Sequence, residues 1–444
     1  MKDDILSNYS IGEKLLSIRK VATQYNLSKN TVESAYSQLY AEGYIESRPK
    51  SGYYVCELYC DSYIKEEHSP TPKEISQISY LYDFFPARLH KEDFPLKLWK
   101  RIANKIMTDT VDFGAYPEGQ GEYLLREQIT SYLQNSRRVN CDANHIIVTH
   151  GFIDAMELLA KLIQKEYKHF AQEIPGYHIA HKVFKAYGYS IQNISVHKDG
   201  LNVEELKQSQ AQIVYITPTH QYPTGATMPI TNRLKLIQHM QSIGGLIIED
   251  DYDSELSYYN RPIPSLQGLD KGENVVYLGT FAKALSPAIR VGYMVIPKWI
   301  LKRYKESYDA HFARVSLSTQ LTLAHFMKEG HWDRHINRTR ILNKKKHQTM
   351  KNAITKYLAD SCKIVAQGAG LAILIVPTKE DFDWKKLKTL AESAHIKIYL
   401  AKERSGGEFE AVRMGFGGFR LDEIDGAVET FSFIWHKVIQ INYL

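Results

Sequence analysis

The segment Val275–Pro297, VVYLGTFAKALSPAIRVGYMVIP, constrains the chain more than any other stretch. An apolar run leads into small and hydroxyl residues around Lys283, and a second apolar run follows from Val291 to Ile296. This pattern predicts two strands joined by a loop that presents one lysine, with Thr280 and Arg290 nearby. A lysine fixed between buried strands is desolvated and loses its proton more readily than one in water. It then becomes a nucleophile toward an aldehyde, while a hydroxyl and a guanidinium beside it can hold a phosphate. Together these properties match a Schiff base with pyridoxal phosphate. A surface lysine in an ordinary loop has the same local sequence, so the surrounding chain has to discriminate.

From Tyr116 to Ile296, apolar strand-like runs alternate with helical stretches, the pattern of an α/β sheet. Ile146–Thr149 reads as a strand that ends at His150-Gly151 and is followed by a helix from about Phe152 to Gln164. Backbone N–H groups and the positive end of a helix dipole then meet at Gly151, where an anion can sit. A lone glycine at such a junction is also a plain turn. Leu246–Ile248 runs into Glu249-Asp250-Asp251-Tyr252-Asp253, an acidic strand end suited to a cationic partner. For Asp251 and Asp253 the expectation is a solvated rim. An anion seat, a carboxylate for the pyridinium nitrogen and a loop lysine, on successive strands of one sheet, are the three supports that pyridoxal phosphate needs.

The N-terminal residues carry a different pattern. Ser17 is placed to cap a helix over Ile18–Tyr25, with Ile18, Val21, Ala22 and Tyr25 on one face. Ser28 caps the next helix, whose apolar stripe is Val32, Ala35, Tyr36 and Leu39, and Gly43 stops it. Two helices across a tight turn form a helix-turn-helix, or an ordinary packed hairpin. In the first case Ser28, Lys29, Asn30 and Thr31 would reach phosphates or base edges. Residues 44–55 read as a β-hairpin whose turn, with Arg48 and Lys50, suits a wing along the DNA backbone.

Composition narrows the class. No apolar run approaches a membrane span, and MKDDILSNYS lacks the pattern of a signal peptide. Four scattered cysteines fit a reducing cytoplasm and not a disulfide framework, and no metal-ligand spacing accompanies them. The formal net charge of +6 permits a polyanionic partner. Glu57–Ser79, with Ser69-Pro70-Thr71-Pro72, reads as a linker. The basic run Arg334–Lys346 reads as a solvated helix face, with extra DNA phosphate contacts as the alternative.

The string from Ile11 to Val55 resembles the winged helix-turn-helix of the GntR family. The match rests on Gly12, Leu15, Ser17, Arg19, Ala22, Ser28, Thr31-Val32, Ala35-Tyr36, Leu39, Glu42-Gly43 and Ser51-Gly52. Leu16 stands where that family usually has proline. Only Met1–Asn8 precedes the Gly12 region, where the family has a longer first helix, so either the start lies upstream or one core helix is short. Roughly residues 80–440 resemble the fold-type I, class I aminotransferase domain. The strings THQYPTGATMPI, IIEDDYDSE and YLGTFAKALSPAIRVGYMV are similar to the MocR subfamily, in which a GntR-type domain is fused to an aminotransferase-like one.

The resemblance implies an α/β chain: a winged helix-turn-helix over 1–57, a linker over 58–79 and a pyridoxal-phosphate-binding body over 80–444. That body would have a large mixed-sheet part at about 115–299 and a small α+β part at about 300–444. It also implies roles. Lys283 would carry the aldimine, Asp250 would pair with the ring nitrogen, and Tyr252 would bond the ring's 3′ oxygen. Thr280, Arg290 and the backbone of Gly151, Phe152 and Ile153 would bind the phosphate. Tyr177 would stack on the ring, Arg413 would bind a carboxylate, and Tyr116 would reach the phosphate in a partner subunit. Ser17, Arg19, Ser28, Lys29, Asn30, Thr31, Arg48 and Lys50 would face DNA. Ala282, Tyr222 and His178 depart from common aminotransferase residues. The implied protein is a cytoplasmic homodimeric regulator that binds an operator in double-stranded DNA and senses pyridoxal phosphate, an amino compound, or both. A working aminotransferase with a vestigial DNA-binding part, or a sensor of the cofactor alone, would carry the same residues.

Overall fold

The hydroxyls of Ser17 and Ser28 each start a helix. Ser17 accepts from the Lys20 N–H and begins α1 (Ile18–Gln24), and Ser28 accepts from the Thr31 N–H and begins α2 (Lys29–Ala41). Each satisfies a donor that a helix start leaves unpaired. Val32, Tyr36 and Leu39 form the buried stripe of α2 and pack with Leu15, Val21, Ile45 and Val55. Tyr25 does not join them. The helix stops one residue short of it and Asn26 turns left-handed, so the ring swings out to 59% exposure. The hairpin β1 (Ile45–Arg48) and β2 (Gly52–Val55) closes the unit, and Gly12, Glu13 and Leu15 hydrogen-bond to the outer edge of β2.

The protein, described by a computed structural model over residues 8–56, 79–108, 111–258, 263–270, 274–308, 313–366, 368–402 and 409–440, divides into two compact units, Met1–Gln77 and Ile78–Leu444. The expected linker, apart from Ser79, lies outside the described residues, as do residues 1–7.

The second unit is built on an eight-stranded sheet in the order β4-β11-β10-β9-β8-β5-β6-β7. Its strands are β4 (Ile146–Thr149), β5 (His169–Ile174), β6 (Ser190–His197), β7 (Gly200–Leu201), β8 (Ile213–Ile216), β9 (Leu246–Asp251), β10 (Val275–Thr280) and β11 (Gly292–Val295). Strands β5, β8, β9 and β10 are parallel, and β11 runs against both β10 and β4, so β4 shares their direction. The three cofactor supports are thus not on successive strands. β9 and β10 are neighbours, whereas β4 lies beyond the antiparallel β11.

Helix α3 (Phe152–Ile163) buries residues on nearly every side, including Met156, Leu159, Ala160 and Ile163, against the sheet and its neighbouring helices. At about 1.5–3 kcal/mol for each large apolar side chain, that burial holds the N-terminus of the helix firmly in place. The small lobe carries the antiparallel sheet β12 (Cys362–Ala366), β13 (Ala372–Pro377) and β15 (Val412–Gly415). The helices α4 (His331–Leu358) and α5 (Ile424–Gln440) pack beside it. A short strand before the large sheet, β3 (Tyr82–Asp83), pairs in parallel with β14 (Ile396–Lys397) of the small lobe. Phe84 is fully buried in the same lobe's core.

The basic run on α4 is only half a solvated face. Arg334, Arg338, Lys344 and Lys345 are exposed, but His335, Thr339, Asn343 and Lys346 point inward at helical spacing. The Lys346 ammonium donates to Asp93 and to the Gly417 carbonyl.

Asp251 and Asp253 are not a solvated rim. Strand alternation sends Glu249 and Asp251 to one face of β9 and Asp250 to the other. Asp251 is 4% exposed and accepts from Arg137 Nε at 2.7 Å and the Tyr277 hydroxyl at 2.5 Å. Arg137 also donates from Nη1 to the Ile263 carbonyl and from Nη2 to the Thr219 hydroxyl. Glu249 accepts from the N–H groups of Leu266 and Gln267. Asp253 is paired with His220 at 2.8 Å. Their partners lie far away in sequence, and for that reason the rim reading failed. Arg137→Met leaves the Asp251 carboxylate buried and unpaired, so urea unfolding should show a loss of about 3–5 kcal/mol.

Candidate functional site

The carboxyl ends of the parallel strands deliver the candidate residues to one edge of the sheet, where open α/β sheets place their ligands. Gly151, at the end of β4, has φ +88° and stands before the first residue of α3. A Cβ there would lie 2.6 Å from Arg290 Nη2, so only glycine admits the guanidinium this close. Arg290, itself left-handed at φ 51°, donates to the His150 carbonyl at 3.3 Å. The helix start and the guanidinium therefore lie side by side, an arrangement with the chemistry to hold an anion. The Thr280 hydroxyl accepts from the Ala282 N–H and stiffens the loop that carries Lys283. Phe152 packs edge-on against both Tyr177 and Tyr215, while Ile153 stays exposed.

Asp250 is buried and accepts from the Tyr215 hydroxyl at 2.6 Å. Burial, together with the neighbouring Asp251 and Asp253, pushes its carboxyl up to about 7. Tyr215 escaped notice in the sequence because Ile-Val-Tyr-Ile reads as plain core. The parallel register, with Tyr215 beside Ile248, sets it on the same face as Asp250. Lys283 is half-buried, and its ammonium lies 5.8 Å from the Tyr252 ring centre. Desolvation and the nearby Arg413 lower it to about 8, against the pull of Asp253 and Asp250. A lysine near this value is about one-tenth neutral at pH 7 and about half neutral at pH 8, far more than an ordinary lysine, as nucleophilic attack requires.

The Tyr252 hydroxyl donates to the His220 carbonyl at 3.0 Å. The Arg413 guanidinium lies over the Tyr222 ring at 4.8 Å, and Tyr222 meets Tyr177 and Tyr252 edge-on. An aromatic ring in place of an amide at position 222 thus gives Arg413 a cation–π platform. Tyr116 stands apart: it is 73% exposed and lines a separate cavity of about 330 Å³ with Asp112, Pro117 and Leu317.

In the N-terminal unit, Ser28 and Thr31 bond each other, and Ser17 is engaged as a cap. Arg19, Lys29, Asn30 and Lys50 are exposed. Arg48 is turned back onto its own hairpin, paired with Glu46 at 2.6 Å and stacked over Tyr54 at 4.2 Å.

The raised Asp250 carries a stability consequence. Between about pH 4 and 7 the folded chain holds a proton that the unfolded chain has released, so stability falls as pH rises through that window. Asp250→Asn removes this cost. In thermal or urea unfolding without cofactor, it should match the wild type near pH 4 and exceed it by about 4 kcal/mol at pH 8.

Among the described residues, no helix is long and apolar enough to cross a membrane. Residues 1–55 match the family "Bacterial regulatory proteins, gntR family", and residues 88–416 match "Aminotransferase class I and II", a fold family dependent on pyridoxal phosphate. The chain is 35% identical over 433 residues to the HTH-type transcriptional regulator YdeL of Bacillus subtilis, covering 96% of this chain and 92% of the relative. It is 31% identical over 379 residues to the probable rhizopine catabolism regulatory protein MocR of Rhizobium meliloti, covering 81% and 76%. The multiple substrate aminotransferase of Thermococcus profundus superposes with a TM-score of 0.72 at 21% identity, over 86% of this chain and 100% of that one. With both halves matched, and with relatives that span the two together, the chain belongs to the MocR-type branch of the GntR regulators, a winged helix-turn-helix joined to a fold-type I aminotransferase domain.

Proposed function

We propose that the protein is a cytoplasmic transcription regulator whose aminotransferase-like unit binds pyridoxal phosphate at Lys283 and senses an amino compound there. The observation that carries this reading is a lysine lowered to about 8 in one cleft with a buried carboxylate and an anion seat. The residues fit the cofactor. Gly151 and Arg290 form a cradle that a side chain would fill, and Asp250 offers a carboxylate for a protonated ring nitrogen. When bound, pyridoxal phosphate supplies a carbonyl that an amine attacks and a ring that accepts electrons. Lys283 supplies the amine, Asp250 holds the ring proton, and Tyr252 offers a hydroxyl. Arg290, Thr280 and the start of α3 neutralise the phosphate. Tyr177 covers the ring, and Arg413, steadied on Tyr222, binds an effector carboxylate as a bidentate pair.

An effector amine that displaces Lys283 changes the charge and the contacts inside the cleft. Any difference in its affinity for two conformations shifts their populations, and with them DNA binding. In a homodimer, two copies of α2 would read two half-sites of an operator. Helix α2 supports the DNA reading: its first turn has no acidic residue, and Lys29 sits at the positive end of the dipole. A lysine there opposes the dipole and is better accommodated beside a phosphate.

Adding pyridoxal phosphate to purified protein should raise a visible absorption band that Lys283→Ala abolishes; an unchanged spectrum would refute the cofactor assignment. Footprinting around the protein's own gene should protect a paired site. Lys29→Ala should weaken binding to all sequences alike and reduce the slope of log affinity against log salt by about one. Turnover of an amino acid and a keto acid with no protected site, even at low salt, would instead favour a metabolic enzyme.

A further inference from the structure

His220 and Asp253 have no part in the reading above, yet both face its centre. His220 Nδ1 is 2.8 Å from Asp253 Oδ2; Asp253 is buried at 3% exposure and His220 half-buried at 16%. The Tyr252 hydroxyl lies 3.3 Å from the same Nδ1 and donates to the backbone carbonyl of His220. Nε2 of His220 is buried without a hydrogen-bond partner among the described residues. Gly370, left-handed at φ 70°, makes room for the Asp253 carboxylate, since a Cβ there would lie 2.8 Å from Oδ2. Burial alone would depress the imidazole, but Asp253 overrides it and the net shift is upward. The charged groups around the pair are Lys283 on the loop after β10, Asp250 on β9 and Arg413 on β15.

A half-buried imidazole hydrogen-bonded to a buried carboxylate in this way has its protonated form favoured, and is more than a core filler. We propose that His220 and Asp253 act as a positioning pair, which holds the Tyr252 hydroxyl beside Lys283 and balances the charge that the lysine faces. Neither residue is required to touch the cofactor. Asp253 draws a proton toward Lys283, and the His220 imidazolium cancels much of that pull. Removing one member alone therefore exposes the lysine to the other. The inference takes Lys283 as the reactive amine and to that extent rests on the proposed function.

The test uses the full chain without cofactor. Brief acetic anhydride pulses across pH, read by mass spectrometry of the Lys283 peptide, give the midpoint of amine reactivity. The wild type should respond near pH 8. His220→Asn should move the midpoint up by about one pH unit, Asp253→Asn should move it down, and the double variant should return toward the wild type. In cofactor-loaded protein the visible band should titrate with the same ordering. A merely structural role would lower thermal stability without this pattern of opposite signs. Folded single variants with unchanged midpoints overturn the pair. If His220→Asn does not fold, Asp253→Asn decides alone: a downward shift upholds the proposal and no shift overturns it. A wild-type Lys283 that reacts like surface lysines overturns this inference together with the assigned amine. Correct shifts without uptake of pyridoxal phosphate overturn the cofactor reading only.

Discussion

Charge buried at the end of β9 is the constraint that the cleft depends on. Three acidic residues in a row, Glu249, Asp250 and Asp251, leave water on a fully buried strand, and ionised carboxylates there are costly unless paired. Strand alternation divides the load. Glu249 meets two backbone N–H groups, and Asp251 meets a buried arginine and a tyrosine. Asp250, on the opposite face, has one tyrosine hydroxyl and the cleft. Burial raises Glu249 and Asp250 alike to about 7, but Glu249 is held by backbone N–H groups, whereas the one side-chain donor on Asp250 among the described residues is Tyr215. That imbalance favours a cationic ring nitrogen as the partner of Asp250.

The same logic governs the lysine. Its loop is closed by strands on both sides and by the Thr280 hydroxyl, so the ammonium cannot retreat into water as a flexible surface lysine would. Desolvation and Arg413 push the proton off, while Asp250 and Asp253 pull it back. The result is a group poised between its two protonation states, which suits both a nucleophile and a ligand-dependent switch. Whether the cleft serves turnover or sensing thus depends on what lies outside it, and here the chain carries a capped helix-turn-helix.

What was legible in the sequence was local. Ser17 and Ser28 cap the helices expected of them, and the strand–loop–strand around Lys283 lies within one short segment. Gly151 could be placed at a helix start, but its backbone φ of +88°, which favours glycine, and its closeness to Arg290, far along the chain, could not. The fates of Asp251 and Asp253 depended on Arg137 and His220, which no period or spacing connects to them. Tyr215 hid inside a strand pattern, and the position of β4 beyond β11 required the sheet order itself. Tyr25 failed for a smaller reason: one residue of helix length decides whether a side chain closes a core or leaves it.

The short pairing of Tyr82-Asp83 with Ile396-Lys397, and the burial of Phe84, fasten the beginning of the second unit to its small lobe and not to the large sheet. The point at which the described residues of this unit begin therefore belongs to the small lobe. A small-lobe rotation of even a few degrees would therefore carry that anchor point with it. The lobe that bears Arg413 on β15 is thus also the lobe that holds Tyr82–Phe84.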